Sequence, residues 1–155
     1  MTKSAKAANT QHSAGPIWQR PATLDAIHAN HHGTICEHLG IEFTEVGDDY
    51  LVARMPADAR TRQPMGIVHG GASVTLAETL GSVGANLCLP PDRAAVGLDI
   101  NANHIRSVRD GWVTGRAHAV HLGRTTQVWQ IEMRDDDGKL TCTSRLTMAV
   151  ISRPS

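Results

Sequence analysis

The chain has 155 residues, with Lys+Arg and Asp+Glu balanced at 15 each, so no global charge calls for nucleic acid or an anionic membrane surface. That length suits one domain with a sizeable core, and three Trp, one Tyr and one Phe require that core to be aliphatic and small-residue based. Cys36, Cys88 and Cys142 are odd in number and form no C-x-x-C, which argues against a disulfide framework or a zinc site and fits a reducing, cytoplasmic setting.

No run of about 18 apolar residues exists for a membrane helix, and no apolar stretch follows the N-terminal lysines as in a secretory signal. Residues 1–16 are rich in Ala, Ser, Thr, Asn and Lys. They predict a disordered N-terminal extension reaching to about residue 20, ahead of a domain over 21–155. Thr23 to Asn30 reads as a short helix with Thr23 as N-cap and Asp25 in the first turn. Ile35 to Leu39 reads as another helical turn, stopped by Gly40. His28, His31 and His32 include an i, i+4 pair, but no acidic or Cys partner is evident and no metal site is expected there.

Ile41 to Val46 and Tyr50 to Met55 read as strands around the hairpin signal Gly47-Asp48-Asp49. Leu51, Ala53 and Met55 fall on one face, and Pro56 stops the second strand. A loop from Ala57 to Met65 leads to a helix that begins at Gly70 and is ended by Pro90-Pro91. Four strands follow. Ala94 to Ile105 is long, and Trp112 to His121 places Val113, Gly115, Ala117 and Ala119 on one face. Thr126 to Arg134 alternates through Trp129, Ile131 and Met133. Asp135 to Gly138 is a turn, and Leu140 to Ile151 alternates through Cys142, Ser144, Leu146, Met148 and Val150. Two strands, one buried helix and four strands predict an α+β fold, an antiparallel six-stranded sheet wrapped around one long central helix.

That helix carries small or apolar residues on every face and a single formal charge, Glu78. A helix without a polar face is normally buried, and a carboxylate there must be paired, hydrogen-bonded or functional. Gly66, Gly70, Gly71, Gly81 and Gly84 flank or interrupt it, and each interior glycine costs roughly 1 kcal/mol relative to alanine; close approach of backbone or ligand would explain that cost. The helix start at Gly70 and Gly71 offers unpaired N–H groups and a positive dipole end, able to polarise a carbonyl oxygen. Glu78 lies roughly 12 Å further along at 1.5 Å per residue. It cannot easily reach a carbonyl held at its own helix start, but it can reach one at the start of a neighbouring antiparallel helix. If both features are catalytic, the site is shared in a symmetric dimer. Ser82, at i+4 from Glu78, could orient the carboxylate or a water, and Gln63 and His69 could add donors to the carbonyl. The combination suggests acyl transfer to water. The competing reading of Glu78 is a structural carboxylate paired with a buried arginine, and Ser82 could simply be a small packing residue.

The run Gln63-Pro-Met-Gly-Ile-Val-His69-Gly70-Gly71-Ala-Ser-Val-Thr-Leu-Ala-Glu78-Thr-Leu-Gly-Ser82 resembles the signature of hot-dog fold acyl-CoA thioesterases. The similarity is to the glutamate-dependent branch acting on 1,4-dihydroxy-2-naphthoyl-CoA and 4-hydroxybenzoyl-CoA, and it extends through Gly97 to Ser107, His121 to Gly123 and Gln127 to Ile131. The resemblance implies Glu78 as nucleophile or general base and Gly70 as the amide polarising the thioester. It implies Gln63 and His69 near the carbonyl, and Ser82 placing water or substrate. For substrate and CoA it implies Gly71, Gly97, His104, Ile105, Arg106 and Ser107, with the loop of His121, Leu122, Gly123, Arg124, Thr125 and Thr126. It implies no metal or redox cofactor, CoA being part of the substrate, and a homodimer that pairs into a tetramer. A local basic excess independently suits a phosphate-rich ligand: Arg106, Arg109, Arg116 and Arg124 stand against Asp110 alone between Asn103 and Gln130. The expected activity is hydrolysis of an aryl- or acyl-CoA, with a broad-range housekeeping thioesterase as the near alternative. A hot-dog dehydratase or hydratase, or a non-enzymatic CoA-binding module, are the rivals of another class.

Overall fold

A computed structural model describes residues 15–153. Helix α1 (Leu24–Ala29) starts on Thr23, whose side chain accepts from the Ala26 N–H, as expected. Helix α2 (Ile35–Leu39) starts on Thr34 and ends on Gly40 in the left-handed region at φ 68°, where a side chain would be strained. Strands β1 (Glu42–Val46) and β2 (Tyr50–Pro56) form the predicted hairpin, closed by a Gly47 N–H to Tyr50 carbonyl bond of 2.9 Å. Then come α3 (Gly70–Leu87), β3 (Arg93–His104), β4 (Trp112–Leu122), β5 (Thr126–Arg134) and β6 (Leu140–Ser152). The six strands make one sheet in the order β1-β2-β4-β5-β6-β3, every pairing antiparallel.

The alternating residues read from the sequence face the helix. Leu51, Ala53, Met55, Val113, Ala117, Trp129, Ile131, Met133, Leu146 and Met148 are all buried, with Leu76, Ala77 and Leu80 of α3 against them. Burying each such Leu side chain contributes roughly 1.5–3 kcal/mol. Glycines set the helix-to-sheet spacing. A Cβ on Gly115 would lie 2.7 Å from Leu80 Cδ1, one on Gly81 2.5 Å from Leu146 Cδ2, and one on Gly84 2.7 Å from Trp129 Cη2. Their helix-propensity cost is therefore offset by close packing.

Three expectations are corrected. The helix is not enclosed by its own chain: Ala72, Ser73, Leu76, Ala77, Leu80, Gly81, Gly84 and Ala85 are buried, while Val74, Thr75, Glu78, Thr79, Ser82 and Val83 stay half-exposed on the face turned from the sheet. One sheet covers only one side of a helix. Residues 17–20, expected to belong to the N-terminal extension, are instead bonded to the rest of the fold. Trp18 donates to the Gly47 carbonyl at 2.8 Å and stacks on Trp129 with ring centres 6.4 Å apart, and Arg20 bonds the carbonyls of Leu89, Pro90 and Arg93. Residues 1–14 of that expectation lie outside the described residues. Finally, His32 does have an acidic partner, Glu37 at 3.2 Å, while His28 turns to the Phe43 carbonyl, so the i, i+4 histidines do not converge.

Candidate active site

The loop before α3 is fixed by Thr61, which the sequence reading passed over. Its buried hydroxyl donates to the Pro56 carbonyl at 2.7 Å and accepts from the Asp58 N–H, and its carbonyl takes the His69 N–H at 2.8 Å. Gln63 follows in a tight turn, where its side-chain oxygen accepts from the Met65 N–H and its carbonyl from the Gly66 N–H. With its oxygen so engaged, the Gln63 amide NH2 remains the group able to donate to a ligand.

Gln63, Gly70, His104, Ile105, Arg106 and Ser107 line one cavity of about 270 Å³ at the start of α3. Six residues proposed for the carbonyl and CoA functions therefore meet in one place. The His104 ring lies directly over Gly70, its Nε2 2.8 Å from where a Cβ would be, so only glycine admits that approach. The first-turn amides of a helix lack i−4 partners. The amide of Gly71 is taken by His69 Nδ1 at 2.8 Å; that of Gly70, bordering the cavity, has no acceptor among the described residues.

His69 stands apart from this cavity. It is the N-cap of α3 and lines a separate groove of about 250 Å³ with Arg60, Arg62, Gly71 and Thr75. Accepting at Nδ1 requires a neutral ring with its proton on Nε2. Within one chain its first role is capping.

Glu78 lies two turns on, on the open face of α3, in a groove of about 460 Å³ that it shares with Ile35, Cys36, Val74, Ser82 and Val83. No arginine or other charged group pairs with its carboxylate among the described residues, which removes the structural ion-pair reading. Gly97, expected at the substrate, has a more immediate role. Its hypothetical Cβ would sit 2.5 Å from Glu78 Oε1, so a side chain there would push the end of the carboxylate aside. Ser82 shares the groove and its hydroxyl points to Met148 Sδ at 3.9 Å. Asn86, one turn beyond, was missed. Its side chain bonds both the N–H and the carbonyl of Ala95, at 3.0 and 3.1 Å, and so ties β3 to the helix that bears Glu78. A single Asn in a small-residue helix is the signal that could have revealed it.

The register separates the two CoA segments. Leu122 pairs with Gln127, Gln127 with Met148 and Met148 with Gly97, whereas His104 pairs with Cys142, Cys142 with Met133 and Met133 with Gly115. Gly97 and His104 are seven residues apart on β3, about 23 Å at 3.3 Å per residue. The hairpin His121 to Thr126, closed by a Gly123 N–H to Thr126 carbonyl bond of 2.9 Å, thus sits at the other end of the sheet from His104 to Ser107, and one protomer does not unite them. The basic excess is likewise dispersed. Arg106 borders the cavity, Arg109 reaches the Met65 carbonyl, and Arg116 lies over the Tyr50 ring 3.8 Å from its centre.

No helix of the described residues is long and apolar enough to cross a membrane, and no three His, Cys, Asp or Glu side chains among them gather as a metal-holding group. A six-stranded antiparallel sheet packed on one glycine-rich helix, with an open helix start and a lone carboxylate two turns along, defines the hot-dog class. The pattern of the thioesterase superfamily matches residues 65–142. The 1,4-dihydroxy-2-naphthoyl-CoA hydrolase of Escherichia coli is 52% identical over 135 residues, covering 87% of this chain and 99% of that protein. The proofreading thioesterase EntH of Cronobacter turicensis is 50% identical over 135 residues, covering 87% and 98%. A crystal structure of a thioesterase from Haemophilus influenzae superposes with a TM-score of 0.86 at 50% identity, covering 88% of this chain and 95% of that one. The chain belongs to the thioesterase superfamily. It is a thioester hydrolase.

Proposed function

We infer that the protein hydrolyses an aryl-CoA thioester, of the 1,4-dihydroxy-2-naphthoyl or 4-hydroxybenzoyl type, to the free acid and CoA. The thioester carbonyl rests against the Gly70 N–H of one protomer, with the Gln63 amide beside it. Glu78 of the second protomer faces the carbonyl carbon. Acting as base, its carboxylate takes a proton from water as the oxygen adds to that carbon; the C–S bond then breaks and CoA leaves as the protonated thiol. Acting as nucleophile, it forms a mixed anhydride that water cleaves. Either route develops negative charge on the carbonyl oxygen, which the helix-start amide stabilises.

The observation that carries the reading is the separation on α3. Gly70 and Glu78 border different cavities, and the face between them is half-exposed. An antiparallel α3 from a second copy would cover that face and set each Glu78 opposite the other Gly70. Among the described residues the outer edge of β3 is unpaired and exposes Val96 and Leu98, which supports pairing of two copies along it. The same pairing brings a second copy's sheet end within range of the separated CoA segments. The aryl substrate is supported by the Escherichia coli relative; the Cronobacter proofreading relative supports broad-range hydrolysis as the second reading. The test is CoA release from a panel of aryl- and fatty acyl-CoAs. Glu78→Gln is expected to lose at least about a hundredfold in kcat on every substrate turned over; turnover near wild type would overturn the reading.

A further inference from the structure

Asn86 joins α3 to β3 with both ends of its amide. Its Oδ1 accepts from the Ala95 N–H at 3.0 Å, and its Nδ2 donates to the Ala95 carbonyl at 3.1 Å and to the Ser82 carbonyl, one turn back, at 2.9 Å. Both amide protons are thereby placed, and the side chain has a single orientation. In an antiparallel ladder a residue turns its N–H and C=O to the same side, so Ala95 turns both away from β6, its sheet neighbour, and towards the outer edge. Asn86 meets them there as a neighbouring strand would.

The place of this link relates it to the chemistry. Glu78, Ser82 and Asn86 are spaced by four and form one stripe along α3. The first half of β3 runs beside that stripe. Ala95 meets Asn86, and two residues on, about 7 Å at 3.3 Å per residue, Gly97 meets Glu78, where a Cβ would fall 2.5 Å from Oε1. Directly beyond Gly97 the register of β3 against β6 shifts. Pairing within the sheet fixes β3 relative to β6, and relative to a second copy that docks along the edge beyond Ala95. It does not fix how far β3 stands from the helix. Among the described residues, the hydrogen bonds that join β3 to α3 are the two made by Asn86.

Building on the thioesterase reading above, we propose that Asn86 is a positioning residue for hydrolysis: it holds β3 at the distance from α3 at which the Gly97 backbone confines the Glu78 carboxylate. The role is indirect. A carboxylate that has to meet a carbonyl carbon in one geometry gains from a wall that narrows the positions open to it, and the wall is only as firm as its attachment to the helix.

The test measures kcat and KM for CoA release with wild type, Asn86→Leu and Asn86→Gln. Leucine keeps the volume and removes all three bonds. It is expected to lower kcat at least about tenfold with KM within about twofold, the pattern of an interaction lost only in the transition state. Asn86→Gln, which keeps a donor and an acceptor on a longer arm, should lie between leucine and wild type. Gly84→Ala, which crowds Trp129, is the control for lost stability and should keep kcat within about twofold. The double variant is the sharper readout. With β3 held, Gly97→Ala must displace the carboxylate, at a cost of about a hundredfold in kcat. With Asn86→Leu the strand can yield instead, so adding Gly97→Ala should cost less than about tenfold more. A kcat for Asn86→Leu within about twofold of wild type, or the same fractional cost of Gly97→Ala in both backgrounds, would overturn the proposal. So would a loss of kcat that follows dissociation of the oligomer on gel filtration, which would make Asn86 an interface residue. Failure of the underlying reading is separable: Glu78→Gln turning over like wild type would overturn the role of the carboxylate before any Asn86 variant is made.

Discussion

The contact between Gly97 and Glu78 yields a prediction that can be worked through in detail. Gly97→Ala places a Cβ 2.5 Å from Glu78 Oε1, where an ordinary contact needs about 3.4 Å or more, so the carboxylate has to retreat by about 1 Å. The backbone at Gly97 is not in the left-handed region, so alanine is accepted without strain. What yields is the end of a long side chain, not a packed core. The melting temperature should stay within about 2 °C of wild type. A 1 Å displacement of a reacting group costs about a hundredfold, so kcat is expected to fall by that order. The assay is CoA release under saturating aryl-CoA, with the oligomeric state checked by gel filtration because β3 is an open edge. In the Glu78→Gln background the same alanine should change kcat by less than about twofold, since the group it displaces is no longer reactive. A kcat within about threefold of wild type, or the same fractional loss in the Glu78→Gln background, would refute the claim that Gly97 exists to seat the carboxylate.

Further outcomes follow from the helix and its surroundings. Gly84→Ala drives a Cβ to 2.7 Å from Trp129, which is fully buried and stacked on Trp18; overpacking of about 1–3 kcal/mol should outweigh the roughly 1 kcal/mol gained in helix propensity, lowering the urea midpoint. His69→Ala removes the N-cap acceptor for Gly71 and should cost about 1 kcal/mol, whereas His69→Asn, a good cap, should retain most of that stability in the same unfolding measurement. Burial pushes the Cys88 thiol up to about 12. Below its ordinary range the thiol is protonated folded or unfolded and contributes nothing to pH dependence. Between that range and about 12 only the unfolded chain loses the proton, so stability should fall with rising pH there, and Cys88→Ala should flatten that part of the urea-midpoint profile.

Local periodicity made much of the fold legible. Leu51, Ala53 and Met55, or Trp129, Ile131 and Met133, alternate because one sheet face meets a helix and the other does not. Gly81 and Gly84 stood out because glycine inside a helix needs a reason, and Leu146 and Trp129 supply it. Long-range pairing could not be read. Nothing local says that β3 lies beside β6 at the edge, and that register is what parts His104 to Ser107 from the hairpin at His121 to Thr126. Trp18 and Arg20 follow a polar, alanine-rich run, so the anchoring of residues 17–20 depends on partners some thirty to seventy residues away. At the site, the spacing from Gly70 to Glu78 was visible because helix rise is fixed. The displacement of His69 into another groove was not, since one capping bond decides its rotamer. The open face of α3 is not legible in the sequence, because small apolar residues on every side of a helix do not say which side the sheet covers.

The central claim is that Glu78 of one protomer serves a thioester held at the helix start of its partner, and subunit mixing measures this directly. Glu78→Gln and Gln63→Ala proteins, each expected to be nearly inactive alone, are unfolded together, refolded at equal concentration and assayed for CoA release. Random pairing makes half the dimers mixed, and each mixed dimer has one site with both residues intact, so about a quarter of wild-type activity should return. Activity no greater than the sum of the two parents would mean that Glu78 works within its own chain, and the shared site would fall.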